Sequence, residues 1–175
     1  MNRRRTLEDY QERAKTLIER RRSKIHGWGV FAKTQIKRST KIINYAGEKI
    51  TQKQSLPRQD KYLEKGHIWC FELNTRWVRD AGVGGNIARF INHKCKPNCW
   101  VDIEGDVIWI RAAKTIRKGE ECGYDYETDG EKAIQCRCLP GCKRKLGSTQ
   151  KPVSNLMSCV CPNASILSTR FCIVR

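Results

Sequence analysis

Residues 89 to 99, RFINHKCKPNC, concentrate the groups in this sequence that could do chemistry. One arginine, two asparagines, one histidine and two cysteines surround Pro97 within eleven residues. Proline cannot continue a helix, and buried polar groups of this kind each need a hydrogen-bond partner. The composition leaves three interpretations open: a zinc site, a catalytic centre, or a turn in a basic nucleic-acid-binding protein.

A second group of reactive side chains follows near the C-terminus in CRCLPGC, which contains Cys136, Cys138 and Cys142. Thiolates at this spacing suit a tetrahedral zinc ion, which binds sulfur at about 2.3 Å. Three cysteines leave one ligand to be found elsewhere, and Cys95 and Cys99 are both candidates. The alternative is that these are free or oxidised thiols.

Two further motifs are weaker when each is taken alone. HGWG (residues 26–29) has glycines on both sides of a tryptophan, which permits either a close backbone approach to a ligand or an ordinary tight turn. GEECGYDY (residues 119–126) places Tyr124 and Tyr126 on one side of an extended segment, either stacked in the core or lining a pocket. Acidic residues follow at positions 127, 129 and 131, so the loop could form a groove for a basic ligand or be merely solvated.

The charge of the chain is concentrated at its ends. The 175 residues have a net charge of +17, of which +11 falls within residues 1–24 and 143–175. Basic ends attract nucleic acid or acidic membrane surfaces, or simply keep the termini solvated. The apolar runs are too short for a membrane span, and there is no signal-peptide core, so we expect an intracellular protein without a membrane partner. In such a compartment, ten cysteines indicate metal ligands and buried thiols rather than disulfides.

The pattern of apolar residues predicts a mainly β domain with a helical entry. Residues 6–22 have helical periodicity and a capping start at Thr6 and Asp9. Short β-branched and aromatic runs then alternate with turns, and DIEGDV (102–107) is typical of a hairpin. SLPRQDKYLEKG (55–66) predicts one short helix. Residues 148–175 are typical of a disordered tail, although ILSTRFCIVR could pair as a strand.

The order of the motifs carries more information than any one of them. HGWG, NYAGE, GGNIARFINHKCKPNC, GEECGYDY and CRCLPGC follow one another as in SET-domain protein-lysine methyltransferases with a post-SET zinc segment. The resemblance extends from about Arg22 to Leu146, and the compact layout is similar to the short SET proteins of bacteria. It implies several short antiparallel sheets with a pseudoknot, in which GEECGYDY closes over RFINH, and a C-terminal segment held by zinc. The implied divisions are a basic N-terminal helix (1–22), the SET domain (23–130), the post-SET segment (131–147) and the tail (148–175).

The resemblance also implies a role for individual residues. Tyr126 takes the position of the catalytic tyrosine, Tyr124 the position that limits the number of methyl groups, and Tyr45 lines the lysine channel. The residues implied to bind S-adenosylmethionine are His26, Gly27, Trp28, Gly29, Arg89, Asn92 and His93. The implied zinc ligands are Cys95, Cys136, Cys138 and Cys142. Because the last spacing is one residue shorter than usual in the family, Cys99 remains an alternative to Cys95. Lys94 and Cys122-Gly123 also depart from the family's usual Ser and Leu-Thr.

The implied activity is methyl transfer from S-adenosylmethionine to lysine in a histone, a DNA-associated protein or another basic protein, with mono- and dimethylation favoured. The implied location is the bacterial cytoplasm or the eukaryotic nucleus, and the oligomeric state is left open. The alternative is a catalytically idle zinc-containing module that binds nucleic acid or a partner through its basic ends.

Overall fold

The computed structural model describes residues 5–150, so the predicted tail from residue 151 onward lies outside the described part of the chain. There are two α-helices, α1 (Leu7–Leu17) and α2 (Gln52–Glu64), and a short 3-10 helix at Ile87–Phe90. The strands are β1 (Ile18–Arg22), β2 (Trp28–Ala32), β3 (Lys41–Asn44), β4 (Glu48–Thr51), β5 (Cys70–Glu72), β6 (Trp77–Asp80), β7 (Asn92–His93), β8 (Cys99–Glu104), β9 (Val107–Ala112), β10 (Gly123–Tyr124), β11 (Thr128–Gln135) and β12 (Lys145–Gln150). The predicted mainly β fold of short, mostly antiparallel sheets is confirmed. None of the helices in residues 5–150 has the length and apolar character needed to cross a membrane.

The N-terminal helix is shorter than the sequence predicted. Helix α1 begins with the predicted capping box, in which the side chains of Thr6 and Asp9 each accept the other's backbone N–H. It ends at Leu17, where Ile18 becomes extended, and β1 then pairs antiparallel with β2. The prediction of a helix through residue 22 is therefore wrong for residues 18–22, which form β1. Guanidinium groups of β1 lie over aromatic rings of β2, which favours the strand: Arg21 lies 4.3 Å from the Phe31 ring centroid.

The first core layer is the three-stranded sheet β3-β9-β8 with α1 packed on β3. The predicted hairpin at DIEGDV is confirmed: β8 and β9 pair over six positions around Gly105, whose φ of +59° favours glycine. Tyr10 of α1 packs against Trp109, with ring centroids 4.7 Å apart. Ala14 of α1 is buried in the same layer, so the N-terminal helix belongs to the folded domain.

Helix α2 is longer than the one short helix predicted for the 55–66 region. It begins after Thr51, which forms a capping box with Gln54 that the sequence prediction overlooked. From this helix Arg58 donates to Glu48 at 2.6 Å and to the fully buried carboxylate of Asp80 at 2.8 Å. The two ion pairs join α2 to β4 and β6.

The second sheet has five strands in the order β11-β12-β5-β6-β4. Strands β11 and β12 form an antiparallel hairpin, and β12 also pairs parallel with β5. Both strands run across the predicted divisions, since β11 continues through residues 130 and 131 and β12 continues through residues 147 and 148. The predicted post-SET segment is thus an integral part of this sheet.

A two-stranded parallel pair, β7 with β10, connects the motifs singled out in the sequence. Asn92 is opposite Gly123, and His93 is opposite Tyr124. The segments RFINH and GEECGYDY, which were predicted to form the knot, therefore lie side by side. This contact brings polar groups from one motif and tyrosines from the other to one place.

Candidate active site

A cavity of about 220 Å³ lies between the turn at residues 25–28, the segment before β5, the β7 region and the β11–β12 hairpin. Six of the seven residues predicted to bind the cofactor line it, together with Tyr126: His26, Gly27, Trp28, Arg89, Asn92 and His93. The exception is Gly29. The hairpin contributes residues on both sides of its turn, including Cys136 and Leu146.

Gly29 lies beside the cavity, and its lack of a side chain leaves room for the carboxylate of Glu121. A Cβ atom at this position would lie 2.3 Å from Oε1 of Glu121. That oxygen accepts hydrogen bonds from the hydroxyl of Ser23 at 2.7 Å and from Nδ2 of Asn92 at 2.9 Å. Nδ2 of Asn92 also donates to the backbone carbonyl of Trp28 at 3.0 Å, so Asn92 ties the turn to the β7 strand. Glu121 was not predicted from the sequence, because only the two tyrosines of GEECGYDY were assigned a role there.

Two aromatic residues of the cavity, His67 and Trp69, were also missed. Their rings stack with centroids 4.3 Å apart and an interplanar angle of 7°. Burial lowers the pKa of His67, and the nearby His26 lowers it further. The guanidinium of Arg89 lies 4.9 Å from the Trp69 ring centroid, and its Nε is buried without a hydrogen-bond partner in the described chain. The aromatic density of HIWCF was the available sequence signal.

These groups fit S-adenosylmethionine in chemical type. An unpaired guanidinium N–H suits a carboxylate, and stacked flat rings suit a purine or a sulfonium cation. The cavity thus offers recognition for both the charged and the aromatic parts of this cofactor.

Four aromatic rings form a buried cluster directly behind the cavity. Tyr45 contacts Phe71 with centroids 5.5 Å apart, Phe71 stacks on Tyr124 at 6.3 Å, and Tyr124 contacts Tyr126 at 4.9 Å. All four side chains are buried. Because Tyr126 also lines the cavity, this one residue joins the cavity to the aromatic cluster. Phe71 was not predicted, since its strand was recognised but the face that it presents was not.

Two hydroxyl groups of the cluster, those of Tyr126 and Tyr45, are directed at backbone carbonyls. Oη of Tyr126 donates to the carbonyl of Ile91 at 2.7 Å, and Oη of Tyr45 donates to the carbonyl of Trp69 at 3.0 Å. Burial raises the pKa of both phenols, so both stay protonated at neutral pH. With its hydrogen committed to Ile91, the Tyr126 oxygen can direct its lone pairs toward a positively charged group.

His93 connects this tyrosine to the cysteines. Its Nδ1 accepts the backbone N–H of Tyr126 at 3.2 Å, and burial lowers the pKa of the ring to about 4. A neutral imidazole that accepts at Nδ1 carries its proton on Nε2. Nε2 lies 3.2 Å from Sγ of Cys95 and therefore donates to it. His93 thus connects the backbone of Tyr126 to the thiol of Cys95.

The four predicted cysteine ligands come together at this point. Sγ of Cys95 lies 3.9 Å from that of Cys136 and 3.8 Å from that of Cys142, while its backbone N–H donates to Sγ of Cys138. Four sulfurs bound tetrahedrally at about 2.3 Å from a zinc ion lie about 3.8 Å from one another. These four thiols, called the thiol cluster below, therefore fit zinc in ligand type, and the two sulfur–sulfur distances fit it in spacing.

Two rival ligands are placed less favourably. Cys99 is buried beside Asn98, to whose Oδ1 its thiol donates at 3.6 Å, and it forms no part of the thiol cluster. His93 with Cys95, Cys136 and Cys138 forms a set whose ligand atoms all lie within 4.8 Å of one another. In the tautomer in which Nε2 donates to Cys95, His93 does not also bind a metal through that nitrogen. This tautomer favours Cys142 as the fourth ligand.

Comparisons with known proteins agree with this geometry. A family model described as the SET domain matches residues 27–127. The chain belongs to the SET-domain family. The "Histone-lysine N-methyltransferase, H3 lysine-4 specific" of Candida albicans is 41% identical over 133 residues, which are 70% of this chain and 13% of that protein. The "Histone-lysine N-methyltransferase trr" of Drosophila melanogaster is 42% identical over 132 residues, which are 70% of this chain and 5% of the relative.

A third relative, "Histone-lysine N-methyltransferase set1" of Dictyostelium discoideum, is 38% identical over 149 residues, which are 81% of this chain and 10% of the relative. The chain thus spans about an eighth or less of the length of these curated relatives. They are fungal, insect and amoebal proteins, and the predicted likeness to bacterial members stays a prediction.

Two departures of this SET domain from the family pattern contact each other. The side chain of Lys94 crosses over Gly123, where a Cβ atom would lie 2.5 Å from Cγ of Lys94. The ammonium of Lys94 donates to the backbone carbonyl of Glu121 at 2.5 Å. The side chain of Lys94 thus occupies the space that a side chain at position 123 would need. Because residue 123 is glycine, β7 and β10 remain paired.

Proposed function

We propose that this SET domain transfers a methyl group from S-adenosylmethionine to the side-chain amine of a lysine in a protein. The observation that carries the proposal is the position of Tyr126, which both lines the cavity and contacts Tyr124 in the aromatic cluster. A methyl donor in the cavity and a lysine amine among the aromatic rings would meet at this residue. Family membership supports the proposal independently.

The chain's own residues would position the reactants and adjust the local charge. S-adenosylmethionine supplies an activated methyl group on a sulfonium, which is the chemistry that the protein itself cannot provide. Asn92 and Gly29 hold the turn that forms one wall of the cavity, and the buried rings exclude water from the amine. Because the Tyr126 hydroxyl donates to Ile91, its lone pairs can stabilise the partial positive charge of the transferred methyl group.

The close packing of the aromatic cluster favours a product with few methyl groups. Tyr124 is almost completely buried, between Phe71 and Tyr126, and its phenol occupies space that a methylated ammonium would need. We therefore propose mono- and dimethyl-lysine as the main products.

Zinc is proposed as a structural metal of the thiol cluster. Cys95 comes from the segment after β7, whereas Cys136, Cys138 and Cys142 come from the turn of the β11–β12 hairpin. A closed site with four thiolates is typical of structural zinc. The metal would fasten the hairpin wall of the cavity to the strand that carries His93.

The substrate proposed is a histone tail or another basic, lysine-bearing protein, because the relatives with this domain are named for histone lysine. In a eukaryote this would place the protein in the nucleus, and in a bacterium in the cytoplasm. A second candidate function is nucleic-acid binding through the basic ends. It is favoured by exposed guanidinium groups of Arg20 and Arg22 stacked on the rim residue Trp28, at 4.5 and 4.3 Å from its ring centroid.

The proposed activity is tested by following labelled methyl from S-adenosylmethionine into an array of lysine-containing peptides. We expect incorporation by the native chain and a fall of about 10²-fold or more with Tyr126→Phe, because the lone-pair donor is lost. Tyr10→Phe is the matched control, since it removes a phenol that packs against Trp109 and lines neither the cavity nor the aromatic cluster. Full activity of Tyr126→Phe would refute the role of this hydroxyl. Calorimetry that detects no cofactor binding, together with steeply salt-dependent DNA binding, would favour the idle module.

A further inference from the structure

Glu121 places one carboxylate oxygen between two segments that meet at the cavity. Its Oε1 accepts hydrogen bonds from Oγ of Ser23, in the segment after β1, and from Nδ2 of Asn92, in β7. The backbone of Glu121 forms an antiparallel bridge with Phe31 of β2, and Gly29 of the same strand leaves room for the carboxylate. Contacts with three segments therefore hold this side chain in one position.

The side-chain amide of Asn92 can take only one of its two orientations beside these neighbours. An amide has two N–H donors on its nitrogen and an acceptor on its oxygen. Nδ2 donates one hydrogen bond to Glu121 at 2.9 Å and the other to the backbone carbonyl of Trp28 at 3.0 Å. A carboxylate and a carbonyl can only accept, so the reversed amide would place its oxygen against two acceptors. Glu121 and Trp28 together fix which end of the amide is turned toward them.

The oxygen of this amide is left for a ligand. Asn92 is buried and lines the cavity, and none of the described residues donates a hydrogen bond to its Oδ1. A free acceptor suits a protonated amine, and S-adenosylmethionine carries one on its amino-acid part. Arg89 lines the same cavity, and its Nε, which has no partner in the described chain, suits the carboxylate of that part. The two side chains therefore complement both charges of the amino-acid part.

We propose that Glu121 is a positioning residue for the ammonium group of the cofactor: it holds the amide of Asn92 with Oδ1 available to the cavity. The inference rests on the proposed function, since the cavity must bind S-adenosylmethionine. This role needs an acceptor oxygen at the reach of Oε1, and it does not need a negative charge. A purely electrostatic role is the rival. Burial raises the pKa of Tyr126 and the carboxylate of Glu121 raises it further, so the charge of Glu121 also acts on the site.

Two conservative variants separate the reach of this side chain from its charge. Glu121→Gln keeps a carbonyl oxygen at the same reach without the charge. Glu121→Asp keeps the charge, but its side chain is one methylene shorter, which withdraws the oxygen from Asn92.

The test is calorimetry of both variants with two ligands: S-adenosylhomocysteine, which carries the ammonium, and methylthioadenosine, which lacks the amino-acid part. We expect Glu121→Asp to weaken S-adenosylhomocysteine binding by about tenfold, the effect of one lost hydrogen bond to a charged group. Methylthioadenosine should bind to this variant as tightly as to the native chain. Glu121→Gln should bind both ligands with native affinity.

The matched control is Glu120→Asp, which shortens the preceding carboxylate in the sequence. Glu120 is also half-buried, but it accepts a hydrogen bond from Nδ2 of Asn98 at 2.8 Å and none from Asn92. Its shortening should leave both affinities unchanged. A double-mutant cycle adds a second check. In the Asn92→Ala background, Glu121→Asp should cause no further loss of S-adenosylhomocysteine affinity, because the amide that it positions is absent.

The outcomes separate this inference from the function on which it rests. Equal weakening of both ligands by Glu121→Asp would show that Glu121 only supports the fold of the wall, and would overturn the inference. Weakening by Glu121→Gln with native affinity in Glu121→Asp would assign the effect to charge and would overturn it too, as would native affinity in both variants. In each of these cases the native chain still binds the cofactor product, and the proposed function stands. A native chain that binds neither ligand would refute both.

Discussion

At the scale of single residues, Tyr124 is the group whose hydroxyl we propose limits the number of methyl groups on the product amine. Its ring lies 4.9 Å from that of Tyr126 and 6.3 Å from that of Phe71, and it is 1% exposed. In a close-packed cluster of this kind, each phenol oxygen takes space that a methyl group would otherwise occupy. On this proposal, the space taken by one phenol oxygen decides how many methyl groups the product carries.

We expect Tyr124→Phe to shift the product from mono- and dimethyl-lysine toward di- and trimethyl-lysine. The smaller side chain leaves room for a methyl group where the phenol oxygen stood. Mass spectrometry of a methylated peptide measures the shift. Tyr45→Phe is the matched control, because its hydroxyl is held by the carbonyl of Trp69 at 3.0 Å, and its removal should slow methylation without changing the product distribution. Chiefly trimethyl-lysine from the native chain would contradict this account.

The residues that could be predicted from the sequence are those carried by continuous motifs. Asn92, His93 and Cys95 lie in one run, and the structure places them at the cavity wall, at the backbone of Tyr126 and in the thiol cluster, respectively. Phe71 could not be predicted, because a single short strand does not reveal which of its faces meets the tyrosines. That choice is made by the pairing of β5 with distant strands.

At the scale of elements, the β11–β12 hairpin and the β7 strand form one unit through the thiol cluster. The hairpin supplies Ile134, Gln135, Cys136, Arg137 and Leu146 to the cavity lining. The hydrogen bond from His93 to Cys95 extends the same unit to the backbone of Tyr126. We therefore propose that metal binding at the cysteines is coupled to the wall of the cavity.

We expect removal of zinc by a chelator to weaken S-adenosylmethionine binding by about tenfold, a typical coupling between linked sites. Without the metal, the four thiols, of which only that of Cys136 belongs to a buried residue, no longer hold the hairpin against β7. Calorimetry with metal-loaded and metal-free protein measures the effect. Cys95→Ala should lose bound zinc, as determined by elemental analysis, whereas Cys99→Ala should retain it. Equal cofactor affinity with and without zinc would contradict the coupling.

The elements also show where sequence patterns are insufficient. The run from Thr6 to Arg22 has helical periodicity throughout, yet α1 ends at Leu17 because the arginines of β1 stack on Trp28 and Phe31. These are tertiary contacts, which periodicity does not contain. Local signals worked better where they are self-contained, as in the capping box at Thr6 and the hairpin at Gly105.

At the scale of the whole molecule, most of the basic charge lies at the two ends of the sequence, and the middle is only mildly basic. Residues 1–24 and 143–175 contribute +11 of the net charge of +17. Deleting the N-terminal residues would be an unsuitable test of this charge, because Ala14 and Ile18 are only 2% exposed in the core. Point substitutions at exposed cations of β1 and the following turn remove charge and leave the buried residues Ala14 and Ile18 in place.

We expect the full chain to bind duplex DNA with an affinity that falls steeply with salt. Each neutralised phosphate contributes about −0.9 to the slope of log K against log salt concentration. Arg21→Ala together with Lys24→Ala should make that slope less negative by about 1.8, because two exposed cations are removed from the basic end. The matched control is Lys53→Ala with Lys61→Ala, which removes the same charge from exposed positions of α2. Fluorescence anisotropy over a salt series measures both slopes. If the two double variants change the slope equally, net charge alone attracts DNA, and the basic end has no special part in binding.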